Sequence, residues 1–198
     1  MKLYDATRSG NCHKVRMLLA QLNLPYETIA VDLAKGGTKT AEFLRVNPRG
    51  QVPVLEDSGD VIWDSQAILV YLARKYDAGD WLPTDAITLA RVMQWLAVSE
   101  NEILFGLARA RSAIQFNTPW NIPESQAIGT QALELLDAHL IQHTWLAASH
   151  PTLADIACYP YVALAQQADL PLEQYSSVVA WIRRIQAWPN YLGMPGML

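Results

Sequence analysis

Asn47-Pro48-Arg49-Gly50-Gln51-Val52-Pro53-Val54-Leu55, followed after a short turn by Trp63-Asp64-Ser65-Gln66-Ala67-Ile68 and Tyr71-Leu72, decides how this chain folds. The first stretch sets a proline between two valines at the start of a strand pattern. Proline has no N–H to give a sheet ladder, so Pro53 is expected at an edge or as a strand's first residue. The second stretch ends a strand on Asp64-Ser65 and opens a helix immediately. A helix start leaves N–H groups unpaired, so that corner suits an anion. An open backbone edge beside a carboxylate-binding corner suits a short peptide.

Upstream, Lys2-Leu3-Tyr4 reads as a short strand. Val15, Leu18, Leu19 and Leu22 then fall on one helical face. Leu24-Pro25 stops that helix, and Tyr26 to Val31 alternates as a second strand. A crossover of this length implies a parallel pair with a right-handed connection. After the Gly36-Gly37 loop, 41–46 allows a short helix. Asp57-Ser58-Gly59-Asp60 is a hairpin signal between Val54–Glu56 and Val61–Trp63, and Ile68, Leu69 and Leu72 give a closing helix. The expected first domain, 1–77, is therefore α/β, ordered βαβ then ββα around a small sheet. Residues 78–84 read as a linker and 85–198 as an all-α bundle. There Leu89, Val92, Met93 and Leu96 begin a long helix expected to run past Arg111, until Asn117–Pro123 interrupts it. Ile128, Leu135, Leu136 and Leu140 form the expected inward set of the next helix, and further helices begin at Thr152 and near Ser176. Thr152-Leu153-Ala154-Asp155 has capping-box spacing, worth about 1 kcal/mol or somewhat more.

Composition narrows the function. The chain has 198 residues, 51% apolar and 17% charged, which is enough for proper cores and too apolar for disorder. A net charge of -4 argues against nucleic acid, which needs a basic face. No apolar run is long enough to span a bilayer, and the first ten residues lack a signal-peptide core. Two distant cysteines, Cys12 and Cys158, point away from a disulfide framework or zinc site, and the expected compartment is a reducing cytoplasm. No metal is expected.

Thr7-Arg8-Ser9-Gly10-Asn11-Cys12 joins the first strand to the first helix. Ser9 or Asn11 caps that helix, where the dipole favours negative charge. Ser9-Gly-Asn-Cys12 also has the spacing of a C-x-x-C redox motif with serine in place of the first cysteine. A serine cannot act as a base at neutral pH, but it can donate a hydrogen bond to a thiolate supplied by a cofactor.

Taken together, Ser9, the Asn-Pro-x-Gly-x-Val-Pro stretch, Asp-Ser-x-Ala-Ile-x-x-Tyr-Leu and the capping box occur in one order and spacing. In this the whole chain resembles the cytosolic glutathione transferases (glutathione S-transferases), of a serine-type or bacterial class. The resemblance implies a thioredoxin-like first domain, an all-helical second domain, a homodimer and a cis Pro53. It implies that the cysteinyl part of glutathione pairs with the main chain of Val52 beside Pro53. Asp64 and Ser65 would hold the γ-glutamyl end, with Gln51 nearby. Lys39, with Lys35 second, is the candidate for the glycine carboxylate, and either lysine is equally read as solvated surface. Ser9 matches the activating serine, whose hydroxyl favours thiolate. A thiol pKa lowered by two units corresponds to about 2.7 kcal/mol. Asn11 stands where some bacterial classes offer an amide donor instead and favour disulfide reduction. Cys12 is either a packed thiol or a partner in a mixed disulfide.

An electrophile pocket is expected between the Ser9 loop and the long helix of the second domain. Its candidates are Arg8, Leu104, Phe105, Ala108 and Arg109, with Phe116 or Trp120 folding over and Arg111 adding positive charge. Leu104, Phe105 and Ala108 equally make a core stripe. The expected activity is addition of glutathione thiolate to small electrophiles, as in detoxification. Two alternatives stay open: glutathione-dependent disulfide reduction, and glutathione binding without catalysis.

Overall fold

The structure, a computed structural model, describes residues 1–77 and 79–198. Ala78, the first residue of the expected linker, lies outside the described residues. The chain divides into two compact units, Met1–Ala78 and Gly79–Leu198.

In the first unit, β1 (Lys2–Asp5), α1 (Gly10–Gln21), β2 (Glu27–Ala30), α2 (Ala41–Val46), β3 (Val54–Asp57), β4 (Asp60–Trp63) and α3 (Ser65–Tyr76) follow in order. The sheet runs β2-β1-β3-β4, with β1 and β2 parallel and the other pairs antiparallel. Leu3, Val54 and Leu55 from the sheet are fully buried, as are Val15, Leu18 and Leu19 from α1 and Ile68, Leu69 and Leu72 from α3. Both helical stripes face the core, as their 3.6-residue spacing requires. Pro53 stands one residue before β3, and its bond to Val52 is cis. Because β3 lies inside the sheet, Pro53 is not at an edge; it ends the ladder instead. The hairpin end is pinned at Asp57, whose buried carboxylate accepts from Tyr71 Oη, Lys75 Nζ and Tyr76 Oη at 2.9, 2.9 and 2.5 Å. These donors hold the Asp57 carboxyl well below the usual carboxylate range, against the opposing effect of burial.

The second unit is helical: α4 (Ala86–Val98), a π-helical stretch (Ser99–Ala108), α5 (Arg109–Phe116), α6 (Ile122–Gln142), α7 (Leu153–Ala163) and α8 (Ser176–Gln186). The long helix does run past Arg111, but its middle is wider than an α-helix. The Asn101 side chain donates to the Ala97 carbonyl at 2.9 Å, occupying an acceptor of the i→i−4 ladder. Gly106 meets Gly129 of α6 backbone to backbone, and a Cβ at Gly106 would fall 2.4 Å from the Gly129 nitrogen. Two expected core positions face outward, Met93 at 51% and Leu135 at 46% exposure. Val92, Trp95 and Leu96 fill the α4 core face, and Ala132, Leu133, Leu136 and Leu140 that of α6. Met93 and Leu135 each sit one residue, about 100° of rotation, off those stripes.

The capping box forms and does more than cap. Asp155 is fully buried, and its carboxylate accepts from Thr152 N (2.9 Å), Leu146 N (3.2 Å) and Trp181 Nε1 (2.9 Å). Thr152 Oγ1 accepts from Ala154 N at 3.3 Å as well as completing the reciprocal capping box with Asp155. One carboxylate thus ties the start of α7 to the preceding loop and to α8. Among the described residues, no helix is long and apolar enough to cross a membrane.

Candidate functional site

Strand register gathers the candidates of the first unit at one end of the sheet. Tyr4 pairs with Val54, and Val54 pairs with Trp63. The loop leaving β1, the chain entering β3 and the chain leaving β4 therefore emerge side by side. They carry Ser9 and Asn11, Val52 and Pro53, and Asp64 and Ser65 respectively.

Ser9 is the N-cap of α1, and its Oγ accepts from Cys12 N at 3.2 Å. That bond uses an oxygen lone pair, and the Ser9 side chain also hydrogen-bonds the Cys12 thiol. Among the described residues, nothing accepts the N–H groups of Gly10 and Asn11, so the helix start keeps its positive end open. Asn11 Oδ1 is buried and has no partner. The loop is held from behind. Arg16 pairs with Asp5 and donates to the Thr7 carbonyl at 3.1 Å. Cys12 is fully buried, and burial pushes its thiol up to about 12.

At β3, the ladder begins only at Val54. Among the described residues, the N–H and C=O of Val52 have no hydrogen-bond partner. Buried Asn47 shapes this segment, donating Nδ2 to the Gln51 carbonyl at 2.7 Å and accepting from Arg49 N at 3.0 Å. The Gln51 side chain is exposed. Lys39 Nζ donates to the Gly50 carbonyl at 3.3 Å, which brings it to the same segment. Lys35 instead pairs with Asp32 at 3.5 Å on the surface.

At the start of α3, Asp64 has φ 80 and ψ 128, a conformation that costs an L-residue about 1–3 kcal/mol. Its Oδ1 accepts from Gln66 N (2.9 Å) and Ala67 N (3.4 Å), and Arg49 donates to Oδ2 at 3.1 Å. Both oxygens are thus engaged, which sequence reading did not foresee. Buried Ser65 follows, and among the described residues nothing accepts its N–H or hydroxyl. The strained turn leaves these two donors together at a helix N-terminus, an arrangement suited to a carboxylate.

Residues 8–75 match the family described as "Glutathione S-transferase, N-terminal domain", and residues 121–184 match "Glutathione S-transferase, C-terminal domain". The chain belongs to the glutathione S-transferase family. It is 32% identical over 192 residues to the disulfide-bond oxidoreductase YfcG of Escherichia coli K12, covering 90% of this chain and 87% of that protein. The crystal structure of a glutathione S-transferase from Pseudomonas fluorescens Pf-5 is 33% identical, with TM-score 0.91 and 98% of each chain covered. A glutathione transferase homologue from Drosophila mojavensis with bound glutathione is 28% identical, with TM-score 0.87, covering 96% of this chain and 89% of the other.

Candidates placed elsewhere by the family pattern behave differently. Arg8, in the first unit, is exposed. Within the helical unit, Leu104 is half-buried, Ala108 is buried, and Phe105 and Trp120 expose 37% and 44%. Arg111 is buried and donates Nε to Gln167 Oε1 at 2.7 Å, with its guanidinium 5.2 Å from the Phe116 ring centre. Packing therefore occupies Arg111. Sequence reading missed Asn47, Arg49, Asp5 and Arg16 as supports. Asn47-Pro48 was the available signal for the first; the others are set by tertiary contacts.

Proposed function

We propose that this chain binds glutathione at the described end of the sheet, ionises its thiol, and adds the thiolate to an electrophilic carbon. The observation that carries this is the unpaired N–H and C=O of Val52 at the mouth of a sheet, beside the free Ser65 donors. An extended tripeptide satisfies both: its cysteinyl main chain pairs with Val52, and its γ-glutamyl carboxylate meets Ser65 N–H and Oγ. Gln51 and Asp64 lie at the γ-glutamyl end, where the peptide's ammonium would share Asp64 with Arg49. Lys39 takes the glycine carboxylate.

Ser9 donates its hydroxyl to the sulfur, and the open end of α1 favours the negative charge. The thiol proton leaves to solvent. The sulfur lone pair then forms the C–S bond as a leaving group departs with its electron pair, or as an activated double bond takes up a proton from water. Holding the two reactants together supplies most of the remaining acceleration.

Ser65→Ala tests the site directly. Calorimetric titration should give about tenfold weaker glutathione binding, the loss of one hydrogen bond to a carboxylate. Unchanged affinity would remove Ser65 from the site.

Disulfide reduction is the second reading, supported by the place of Asn11 at the start of α1 and by the likeness to the Escherichia coli oxidoreductase. There, bound thiolate attacks a mixed disulfide of glutathione, releasing a thiol and forming glutathione disulfide. Parallel assays of an aryl halide and a small mixed disulfide separate the two; disulfide turnover with negligible conjugation would favour the second.

We also infer a homodimer, supported by exposed Ile87 and Met93 on α4 and exposed Leu135 and Ile141 on α6. Sedimentation should report twice the 22.1 kDa chain mass, whereas the single-chain mass would reject it.

A further inference from the structure

We propose that Asp5 and Arg16 are positioning residues that aim Ser9 and set how readily a thiol bound there ionises. This rests on the glutathione site proposed above and adds to it a support lying wholly within the first unit.

Arg16 stands in the second turn of α1, on the side of the helix that carries Ser9 and Cys12. Its guanidinium reaches back past the helix start. Nη1 pairs with Asp5, the last residue of β1, while Nη2 donates to the Thr7 carbonyl at 3.1 Å. Nη2 also lies 3.3 Å from His13 Nδ1. Arginine can only donate, so Nδ1 is the accepting nitrogen of a neutral His13. Asp5 and His13 are buried, and the Arg16 side chain exposes 13%.

This fork grips the turn that delivers Ser9. Ser9 N donates to the Ala6 carbonyl at 2.8 Å, closing the turn over Thr7 and Arg8. A planar donor that bonds the strand end and the Thr7 carbonyl together fixes one against the other.

The pair also acts through charge. Burial governs the Cys12 thiol, but of the charges that reach it Asp5 pushes it up and Arg16 pulls it down. Half-buried Tyr26, whose hydroxyl burial also pushes up, feels the same two charges in the same senses. Cys12 N is bonded to Ser9 Oγ at 3.2 Å, so both fields extend to an anion held by Ser9.

The test reads thiolate absorbance of bound glutathione against pH in Arg16→Gln and Asp5→Asn. Arg16→Gln releases the turn and leaves Asp5 unopposed. It should raise the pKa of the bound thiol by about half a unit or more, the effect of deleting one charge several ångströms away. Asp5→Asn keeps an acceptor for Arg16 and leaves the guanidinium unopposed, so it should lower that pKa by a similar amount. Loosening of the loop alone would move both variants the same way. Shifts of opposite sign uphold the proposal, and any other pattern overturns it. Should Arg16→Gln not fold, the same change is made in the Asp5→Asn background, which buries no unpaired charge. There it should raise the pKa by the same amount, and no rise overturns the proposal. If the unaltered protein shows no thiolate signal with glutathione, the ionisation reading fails separately, and amide hydrogen exchange at Ser9 and Cys12 decides the support. Exchange about tenfold faster in Arg16→Gln upholds it; unchanged exchange overturns it.

Discussion

Ser9→Ala should lower kcat for conjugation about thirtyfold, the effect of losing about 2 kcal/mol from one charge-assisted hydrogen bond. The same loss should raise the pKa of the bound thiol by between one and two units, read as thiolate absorbance against pH. Glutathione affinity should hardly move, because the peptide's other contacts are at Val52 and Ser65. The Ser9 oxygen also accepts from Cys12 N at 3.2 Å, so part of any stability loss belongs to the cap. Ser9→Gly, a tolerated cap residue without a hydroxyl, separates the two: it should lose activity like alanine but keep more stability. If Asn11→Ala raises the thiol pKa and Ser9→Ala does not, the amide is the sulfur donor.

Asp155→Ala should destabilise the protein by about 3–5 kcal/mol, measured by urea unfolding. The substitution leaves Trp181 Nε1, Leu146 N and Thr152 N buried without their acceptor. That is a large share of a total stability of about 5–15 kcal/mol. Asp155→Asn should cost nearly as much despite its matching shape, because its NH₂ group must face one set of donors. The titration has a definite sign. Burial raises the Asp155 carboxyl from 3.8 to about 6. Its contribution is therefore greatest below about pH 4 and declines as pH rises through about 6, by up to about 3 kcal/mol. The advantage of aspartate over asparagine should accordingly be larger at pH 4 than at pH 7; a flat difference would show that burial does not govern this carboxylate.

The elements themselves were legible because local patterns coded them. Val15, Leu18 and Leu19 marked α1, the Asp57–Asp60 turn marked the hairpin, and Thr152 and Asp155 marked the start of α7. What escaped depends on contacts distant in sequence. The spacing of Leu89, Val92, Met93 and Leu96 assumes a stripe wider than the core beneath it, so Met93 was misplaced, as was Leu135 on α6. Nothing in the apolar pattern of Ser99–Ala108 announces a π-helical stretch, within which Asn101 donates to the Ala97 carbonyl. The site residues were visible as motifs, but their supports were not. Arg49 reaches Asp64 across fifteen positions, and Trp181 reaches Asp155 across twenty-six.

Gly106 and Gly129 leave no slack between the helix that leads into Arg109 and its neighbour. A methyl group at either position would have to push main chain or packed side chain aside. The two helices therefore cannot slide past one another at this crossing. Any change in how fully the bundle fills its interior there has to come from trimming side chains rather than from moving main chain.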